Sequence, residues 1–92
     1  MNYWVLQNHF PLKTHFIEGD WLVYHEGNGQ THRLSGITGL VFQIILNSDK
    51  PLTALEVDKE LHKLAIDEID QLSYNVEQTL SALSAAYLLQ NC

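Results

Sequence analysis

The amino-acid sequence predicts an α+β domain, in which an N-terminal antiparallel β-hairpin or three-stranded sheet is followed by three α-helices. Three observations support this fold class. Two runs of strand-forming residues, DWLVYHE and QTHRLS, flank a turn at Gly27-Asn28-Gly29. A nearly unbroken apolar segment, GITGLVFQIIL, follows at once and predicts a buried helix. The rest of the chain is amphipathic with helical spacing, so strands precede helices in the chain.

Aromatic and β-branched residues mark the strands before the hairpin. Residues 3–6 are a candidate first strand. Residues 8–14 contain Pro11 and are predicted to form a connection. Residues 15–17 start another short strand or extend the first one. The single domain, residues 1–92, is therefore expected to have a sheet part at 1–34 and a three-helix part at 35–92.

The hairpin is predicted to close with a two-residue type I′ turn at Asn28-Gly29, because this dipeptide readily adopts positive φ. This register places His25 opposite His32. It also places Tyr24 opposite Arg33, close enough for a cation–π contact. One face then carries Trp21, Val23, His25, His32 and Leu34, and the other carries Leu22, Tyr24, Glu26, Thr31 and Arg33. A slip of one residue would exchange the two faces.

The first two helices have recognisable start signals. Ser35 is expected to cap the helix Gly36–Asn47 with its hydroxyl. The pattern Thr53-x-x-Glu56 is a capping box that opens the second helix. Its apolar stripe is predicted to consist of Leu55, Leu61 and Leu64.

The third helix is predicted to be long. Asp67 is its candidate N-cap, and the acidic residues that follow complement the helix dipole. Apolar residues recur at three- and four-residue steps at Ile69, Leu72, Val76, Leu80, Leu83 and Tyr87. One apolar stripe along a continuous helix explains this spacing.

Charge and cysteine content narrow the function classes. The chain has 5 basic and 11 acidic residues, and most of the acidic excess lies in residues 53–92. Nucleic-acid surfaces need clustered cations, so neither nucleic acid nor an anionic membrane is the expected partner. No apolar run approaches the ~20 residues that span a bilayer. The single Cys92 and the lack of a secretory signal predict a cytoplasmic protein.

The sequence gives no sign of catalysis. It contains no serine or cysteine triad pattern, no glycine-rich phosphate loop and no metalloprotease helix. His25 and His32 could share a metal across the hairpin, with His9 or His15 adding ligands. A closed zinc site needs four ligands, usually with cysteine. We therefore predict no enzyme, no catalytic residue, no cofactor and no metal site.

Four short motifs stand in a fixed order along nearly the whole chain from Trp4 onward. They are Trp21 and Val23; Thr31-His32-Arg33-Leu34-Ser35 leading into Thr38-Gly39-Leu40-Val41; Pro51-Leu52-Thr53 with Glu56-Val57 before Leu61; and Leu80-x-x-Leu83. The order of elements has the outline of a winged helix with its sheet placed first. The motifs resemble the PqqD-like proteins, or RiPP recognition elements, and most closely the HPr-rel-A system PqqD subgroup. These are small peptide-chaperone domains of peptide-modifying pathways.

The chain departs from that family's pattern near its end. The family usually has Gly-Leu-Val or similar after the last helix, whereas this chain has Ala86-Tyr87-Leu88-Leu89. The departure predicts a third helix that runs further than in the family.

The resemblance implies that the domain binds a precursor or leader peptide and delivers it to a peptide-modifying enzyme. The peptide adds as a strand to the outer edge of the third strand, here Gln30–Leu34, beside the third helix. Backbone hydrogen bonds then give sequence-tolerant affinity, and side-chain pockets give selectivity. The residues expected to bind the peptide are Gln30, Thr31, His32, Arg33, Leu34, Leu72, Asn75, Val76 and Thr79.

Three alternatives to peptide binding stay open. The same residues fit an ordinary edge strand packed on a core helix. A winged-helix DNA-binding regulator has the same outline, but recognition helices need donors for phosphates and bases, and the third helix is acidic. A structural subunit that forms a homodimer is the last alternative, since small domains with uncovered strands often self-associate.

Overall fold

The computed structural model describes residues 3–64 and 76–91. This part of the chain forms four strands, then three helices, then one short strand. The strands are β1 (Trp4–Leu6), β2 (Leu12–Ile17), β3 (Asp20–His25), β4 (Gln30–Leu34) and β5 (Leu89–Asn91). The helices are α1 (Gly36–Asn47), α2 (Ala54–Leu64) and α3 (Val76–Ala85). The predicted α+β class, with N-terminal strands before helices, is confirmed.

The main sheet is three-stranded and antiparallel, with the order β2-β3-β4. Strand β2 begins at Leu12, so the prediction that residues 8–14 form only a connection is wrong. Pro11 is compatible with this start because it lies just before the strand, at a position where proline is tolerated. Its carbonyl oxygen accepts from the Glu26 N–H at 3.1 Å. Both β2 and β4 are edge strands of this sheet.

The hairpin between β3 and β4 closes with the four-residue loop 26–29, so the predicted two-residue turn is wrong. His25 pairs with Gln30, and Tyr24 pairs with Thr31. This register is shifted by two residues from the predicted one. Because side chains alternate with a period of two, the shift leaves the predicted membership of the two sheet faces unchanged.

Side chains inside the loop explain its greater width. Asn28 Oδ1 accepts from the Gln30 N–H at 2.9 Å. His25 Nδ1 accepts from the N–H groups of Gly27 and Asn28 at 3.0 and 3.2 Å. These bonds satisfy backbone donors of the wider loop. Gly29 takes the positive φ, 71°, that closes the loop.

A second, two-stranded sheet joins the two ends of the described chain. Strand β5 pairs antiparallel with β1, and Trp4 exchanges backbone hydrogen bonds of 2.7 and 3.1 Å with Leu52. The part of the chain after residue 34 is therefore not purely helical, contrary to the predicted division. Leu52 lies just before α2, so this bridge also ties the helical layer to β1.

Helix α3 ends at Ala85, so the prediction that its apolar stripe continues to Tyr87 is wrong. The Leu88 N–H donates to the Leu83 carbonyl oxygen, and the Tyr87 N–H donates to that of Ser84. Tyr87 itself has a left-handed backbone conformation, with a φ of 62°. This is a Schellman motif, in which the left-handed residue is usually glycine. The predicted start at Asp67, with Ile69, lies outside the described residues.

Helix α1 is the centre of the core. Val41 and Phe42 are fully buried, and Trp21 of β3 packs edge-on against the Phe42 ring at 5.9 Å. Gly39 allows the close approach of α1 to β4, because a Cβ atom there would lie 2.8 Å from the Leu34 carbonyl oxygen. The core residues from the other helices are Val57, Leu61, Val76, Leu80 and Leu83.

The apolar stripe of α2 differs from the prediction. Leu55 and Leu64 are 64% and 53% exposed, whereas Val57 and Leu61 are fully buried. The two buried residues are four apart and therefore lie on one narrow face of the helix. None of the helices in the described ranges combines the length and the apolar character needed to cross a membrane.

Candidate functional site

The outer edge of β4 is the predicted site, and the hydrogen-bond pattern of the sheet determines which backbone groups it offers. The register of β2 and β3 places Pro11 opposite Glu26, and their hydrogen bond makes them a bonded pair. Bonded and non-bonded pairs alternate in an antiparallel ladder. The backbone groups of Tyr24 therefore point to β2. Those of the neighbouring β3 residues Trp21, Val23 and His25 point to β4.

It follows that β4 divides its backbone groups between two sides. Gln30, His32 and Leu34 are the partners of the β3 residues that point to β4, so their backbone groups face into the sheet, where the Gln30 N–H is bound by Asn28 Oδ1. Thr31 and Arg33 direct theirs outward. Within the described ranges, no strand pairs with this outer edge.

Arg33 is fixed by a carboxylate rather than by an aromatic ring. Its Nε and Nη2 atoms lie 2.7 and 2.6 Å from Asp20 Oδ2. The predicted pairing of Tyr24 with Arg33 is wrong, because the two-residue shift places Leu22 opposite Arg33. The guanidinium lies on the exposed sheet face, next to the outward backbone edge.

Ser35 belongs to the same cluster. It stands at the N-cap position of α1, but its side chain makes no capping hydrogen bond. Instead it is hydrogen-bonded to the Asp20 carboxylate. Hydrogen bonds from Arg33, then from Ser35, lower the pKa of Asp20 below its ordinary value. The predicted capping role of the Ser35 hydroxyl is therefore wrong.

His32 and Leu34 lie on the core side of β4. Leu34 is buried in the core, and His32 is half-buried. The Nε2 atom of His32 is buried and has no hydrogen-bond partner. Val23, rather than His25, is the cross-strand partner of His32, so the predicted histidine pair is wrong. In the described ranges, no three histidine, cysteine or acidic side chains are grouped to hold a metal ion.

The helix side of the predicted site is only partly described. Leu72 and Asn75 lie outside the described residues. Val76 is 8% exposed and belongs to the core, because it continues the buried stripe of Leu80 and Leu83. The prediction that Val76 lies on an exposed flank of the helix is therefore wrong. Thr79 is half-buried, and the main packing partners of α3 are α1, α2 and β5.

A cavity of about 500 Å³ lies at the other end of the sheet, and the sequence did not predict it. It is open to solvent and is bordered by residues 7–10, the 26–29 loop and the connection from α3 to β5. Its lining includes Gln7, Phe10, His25, Ser84, Tyr87 and Leu89. The cavity depends on the pairing of β1 with β5, which has no local sequence signal. The placement of His25 on the core face was the one available clue.

Comparisons with known proteins do not identify a family, so any functional assignment rests on the geometry described above. No family model matches the chain, and comparisons with curated proteins and with solved structures give no significant match. Membership of the PqqD-like proteins therefore stays a prediction from the order of the motifs.

Proposed function

We propose that this domain is a non-catalytic peptide-binding module that receives an extended leader peptide along the outer edge of β4. It would then present the peptide to a peptide-modifying enzyme, as in the PqqD-like proteins that its motifs resemble. One observation carries the proposal. Thr31 and Arg33 turn their backbone groups outward on an edge strand with which no described strand pairs.

Strand addition uses these backbone groups directly. A peptide lying antiparallel or parallel to β4 would accept from and donate to Thr31 and Arg33, whatever its own sequence. The edge strand has only five residues, Gln30–Leu34, so few backbone bonds are available. Selectivity must therefore come from side chains beside the edge. The exposed Thr31 and Arg33 side chains are the nearest candidates on the outer sheet face.

The same edge also has protection against unwanted pairing. Edge strands aggregate through free backbone groups unless charges or shortness interrupt them. Here the ion pair of Arg33 with Asp20 lies beside the outward groups. A specific peptide can pass this charged pair with a polar residue.

The charge distribution supports a peptide over nucleic acid. Residues 53–92 hold seven acidic and two basic residues, which repel phosphate. We retain the cytoplasmic location as part of the proposal, because a leader peptide meets its modifying enzyme there before export.

The test compares two proline substitutions on opposite edges of the same sheet. Thr31→Pro removes an outward N–H from β4, and Thr14→Pro removes an outward N–H from β2. A binding peptide is first selected from a displayed random library or taken from a precursor encoded next to the gene. Calorimetry should show about tenfold or greater loss of affinity for Thr31→Pro, because a backbone bond and the space beside it are lost. Thr14→Pro should bind as the wild type does.

Amide hydrogen exchange supplies a second measurement. Bound peptide should slow exchange at Thr31 and Arg33 and leave Thr14 unchanged. Equal affinity of the two proline variants, with both folded, would exclude the β4 edge. A gel shift with genomic DNA at low salt would favour the DNA-binding alternative. A peptide-independent dimer in light scattering, abolished by Thr31→Pro, would favour self-association through the same edge.

A further inference from the structure

We propose that two copies of this chain join through the outer edges of their β2 strands, in an antiparallel pairing whose two-fold axis passes between the two Thr14 residues. The inference is independent of peptide binding, because β2 and β4 are opposite edges of the main sheet. It rests on the outward backbone groups of β2, on an aromatic side chain held open beside them, and on a register in which the strand matches a second copy of itself.

The backbone groups of β2 divide between two sides, as those of β4 do. Because Pro11 and Glu26 form a bonded pair, every second residue from Pro11 onward directs its backbone groups to β3. The residues between them direct their N–H and C=O groups outward, and these are Leu12, Thr14 and Phe16. In the described ranges no strand pairs with this edge, and β3 is the main packing partner of β2.

This edge has little protection against pairing. Edge strands are usually blunted by short length, bulges or charges. Strand β2 has six residues, and its register with β3 is continuous from Leu12 to Ile17, so no bulge interrupts it. Its lysine, Lys13, lies on the outer sheet face, and its Nζ atom is 3.2 Å from Glu26 Oε1, which balances the charge.

Phe16 provides a preorganised apolar contact at the edge. Its ring lies against that of Trp21, with the ring centroids 5.2 Å apart, yet the residue is 58% exposed. Trp21 is itself fixed, because its Nε1–H donates to Gln43 Oε1 at 3.2 Å. The Phe16 ring is therefore held on one side and open to solvent on the other. A partner can cover it without ordering a mobile side chain.

The strand is self-complementary in one antiparallel register. With the two Thr14 residues opposite each other, Leu12 lies opposite the partner's Phe16, and every outward residue belongs to a bonded pair. Moving the axis to Lys13 would place the two lysines directly opposite each other, which is destabilising. Moving it to His15 would place Leu12 opposite the partner's β2–β3 turn. The register centred on Thr14 is therefore the one that uses all the outward groups.

Side chains match on both faces of the sheet in this register. On the core face, the exposed Phe16 packs against the partner's Leu12, which is only partly buried in its own chain. On the outer face Ile17, which is 48% exposed, lies opposite the partner's Pro11. The remaining outer pair joins a lysine to a histidine. The contact is isologous, as the common two-fold dimers are.

The helices leave room for this contact. Helix α1 packs on β3 and β4, not mainly on β2. Adjacent strands lie about 4.8 Å apart, so the β3 strands of the two copies would be about 14 Å apart. Packed helices need about 8–10 Å between their axes. The two α1 helices can therefore lie on the same side of one continuous sheet, in which both β4 strands stay at the outer edges.

Sedimentation equilibrium tests the dimer directly. The wild type should show a reversible monomer–dimer equilibrium as its concentration is raised. Thr14→Pro removes the outward N–H on the axis from both copies, so it should weaken the dimer about tenfold or more. Phe16→Glu places a charge opposite the partner's Leu12 and should also give a monomer. Circular dichroism of both variants checks that they are folded.

Matched substitutions elsewhere control for general effects of proline and charge. Thr31→Pro changes the opposite edge of the sheet, and Leu55→Glu adds a charge at an exposed position of α2. Both variants should dimerise as the wild type does. A wild type that stays monomeric would overturn the proposal, and so would a dimer that persists in folded Thr14→Pro or Phe16→Glu.

A disulfide cross-link tests the register. Lys13→Cys and His15→Cys chains, each also carrying Cys92→Ser, should form a mixed disulfide-linked dimer on mild oxidation. The reason is that residues 13 and 15 of the two copies form a non-bonded pair, in which side chains are close. Neither variant should cross-link efficiently alone. Preferential cross-linking of Lys13→Cys with itself would refute the axis at Thr14.

Discussion

Asp20 is the residue at which sheet, edge strand and first helix meet. Its carboxylate accepts from Arg33 of β4 and from Ser35, which precedes α1. The sequence correctly placed Ser35 immediately before the helix. It could not show that the hydroxyl would bond elsewhere, because that depends on the two-residue shift in the hairpin. The shift leaves Arg33 and Ser35 close to Asp20.

The lowered pKa of Asp20 makes a pH-dependent contribution to stability. The ionised carboxylate is stabilised only in the folded state, so the contribution is complete above the unfolded pKa near 3.8 and is lost as pH falls through the lower folded value. Asp20→Asn should therefore lower stability at neutral pH. In urea titrations, the difference from the wild type should disappear in acid.

A double-variant cycle separates this pair from general charge effects. Arg33→Gln should remove the same interaction, so the combined variant should lose little more than either single one. Strictly additive losses would mean that the contact between Arg33 and Asp20 contributes nothing measurable.

Among the elements, the start of α2 was predictable from the sequence, whereas the end of α3 was not. The capping box of α2 is confirmed: the Glu56 N–H donates to Thr53 Oγ1 at 3.2 Å, and the Thr53 N–H donates to Glu56 Oε1 at 3.0 Å. This signal is local and uses residue types that favour one geometry. The end of α3 has no such signal, since Tyr87 occupies a position where glycine is usual. Leu88 and Leu89 continue a helical spacing, yet they turn into β5.

Removing the Thr53 hydroxyl should destabilise α2 measurably. Thr53→Ala loses the acceptor for the Glu56 N–H, and N-cap losses of this kind cost about 1 kcal/mol in unfolding free energy. Thr53→Ser retains the hydroxyl and should keep most of the stability. Urea unfolding monitored by circular dichroism measures both. Equal losses in the two variants would show that the methyl group, rather than the cap, matters.

For the whole molecule, the α+β class and the order of strands and helices were predictable, because periodicity and turn residues report on local structure. The pairing of β1 with β5 was not, since it joins residues more than eighty positions apart in contacts such as Trp4 with Asn91. The cavity and the burial of Gln7 depend on that pairing. The β4 edge was predictable, and a register shift of two residues leaves its outward backbone groups unchanged.

The contribution of this second sheet can be measured with two leucines. Leu88 is fully buried where α3 turns into β5, and Leu55 is largely exposed on α2. Leu88→Ala should cost about 2–5 kcal/mol in unfolding free energy, whereas Leu55→Ala should change it little. Because small domains are stable by only about 5–15 kcal/mol, the first variant should unfold at much lower urea concentration. Similar urea midpoints would show that the β1–β5 pair contributes little to the core.

The antiparallel pairing of β1 with β5 also brings both ends of the described chain to one point on the surface. Trp4 lies directly opposite Asn91, so their Cα atoms are separated by about 5 Å. A domain with this geometry can be inserted into a surface loop of another protein without stretching the host.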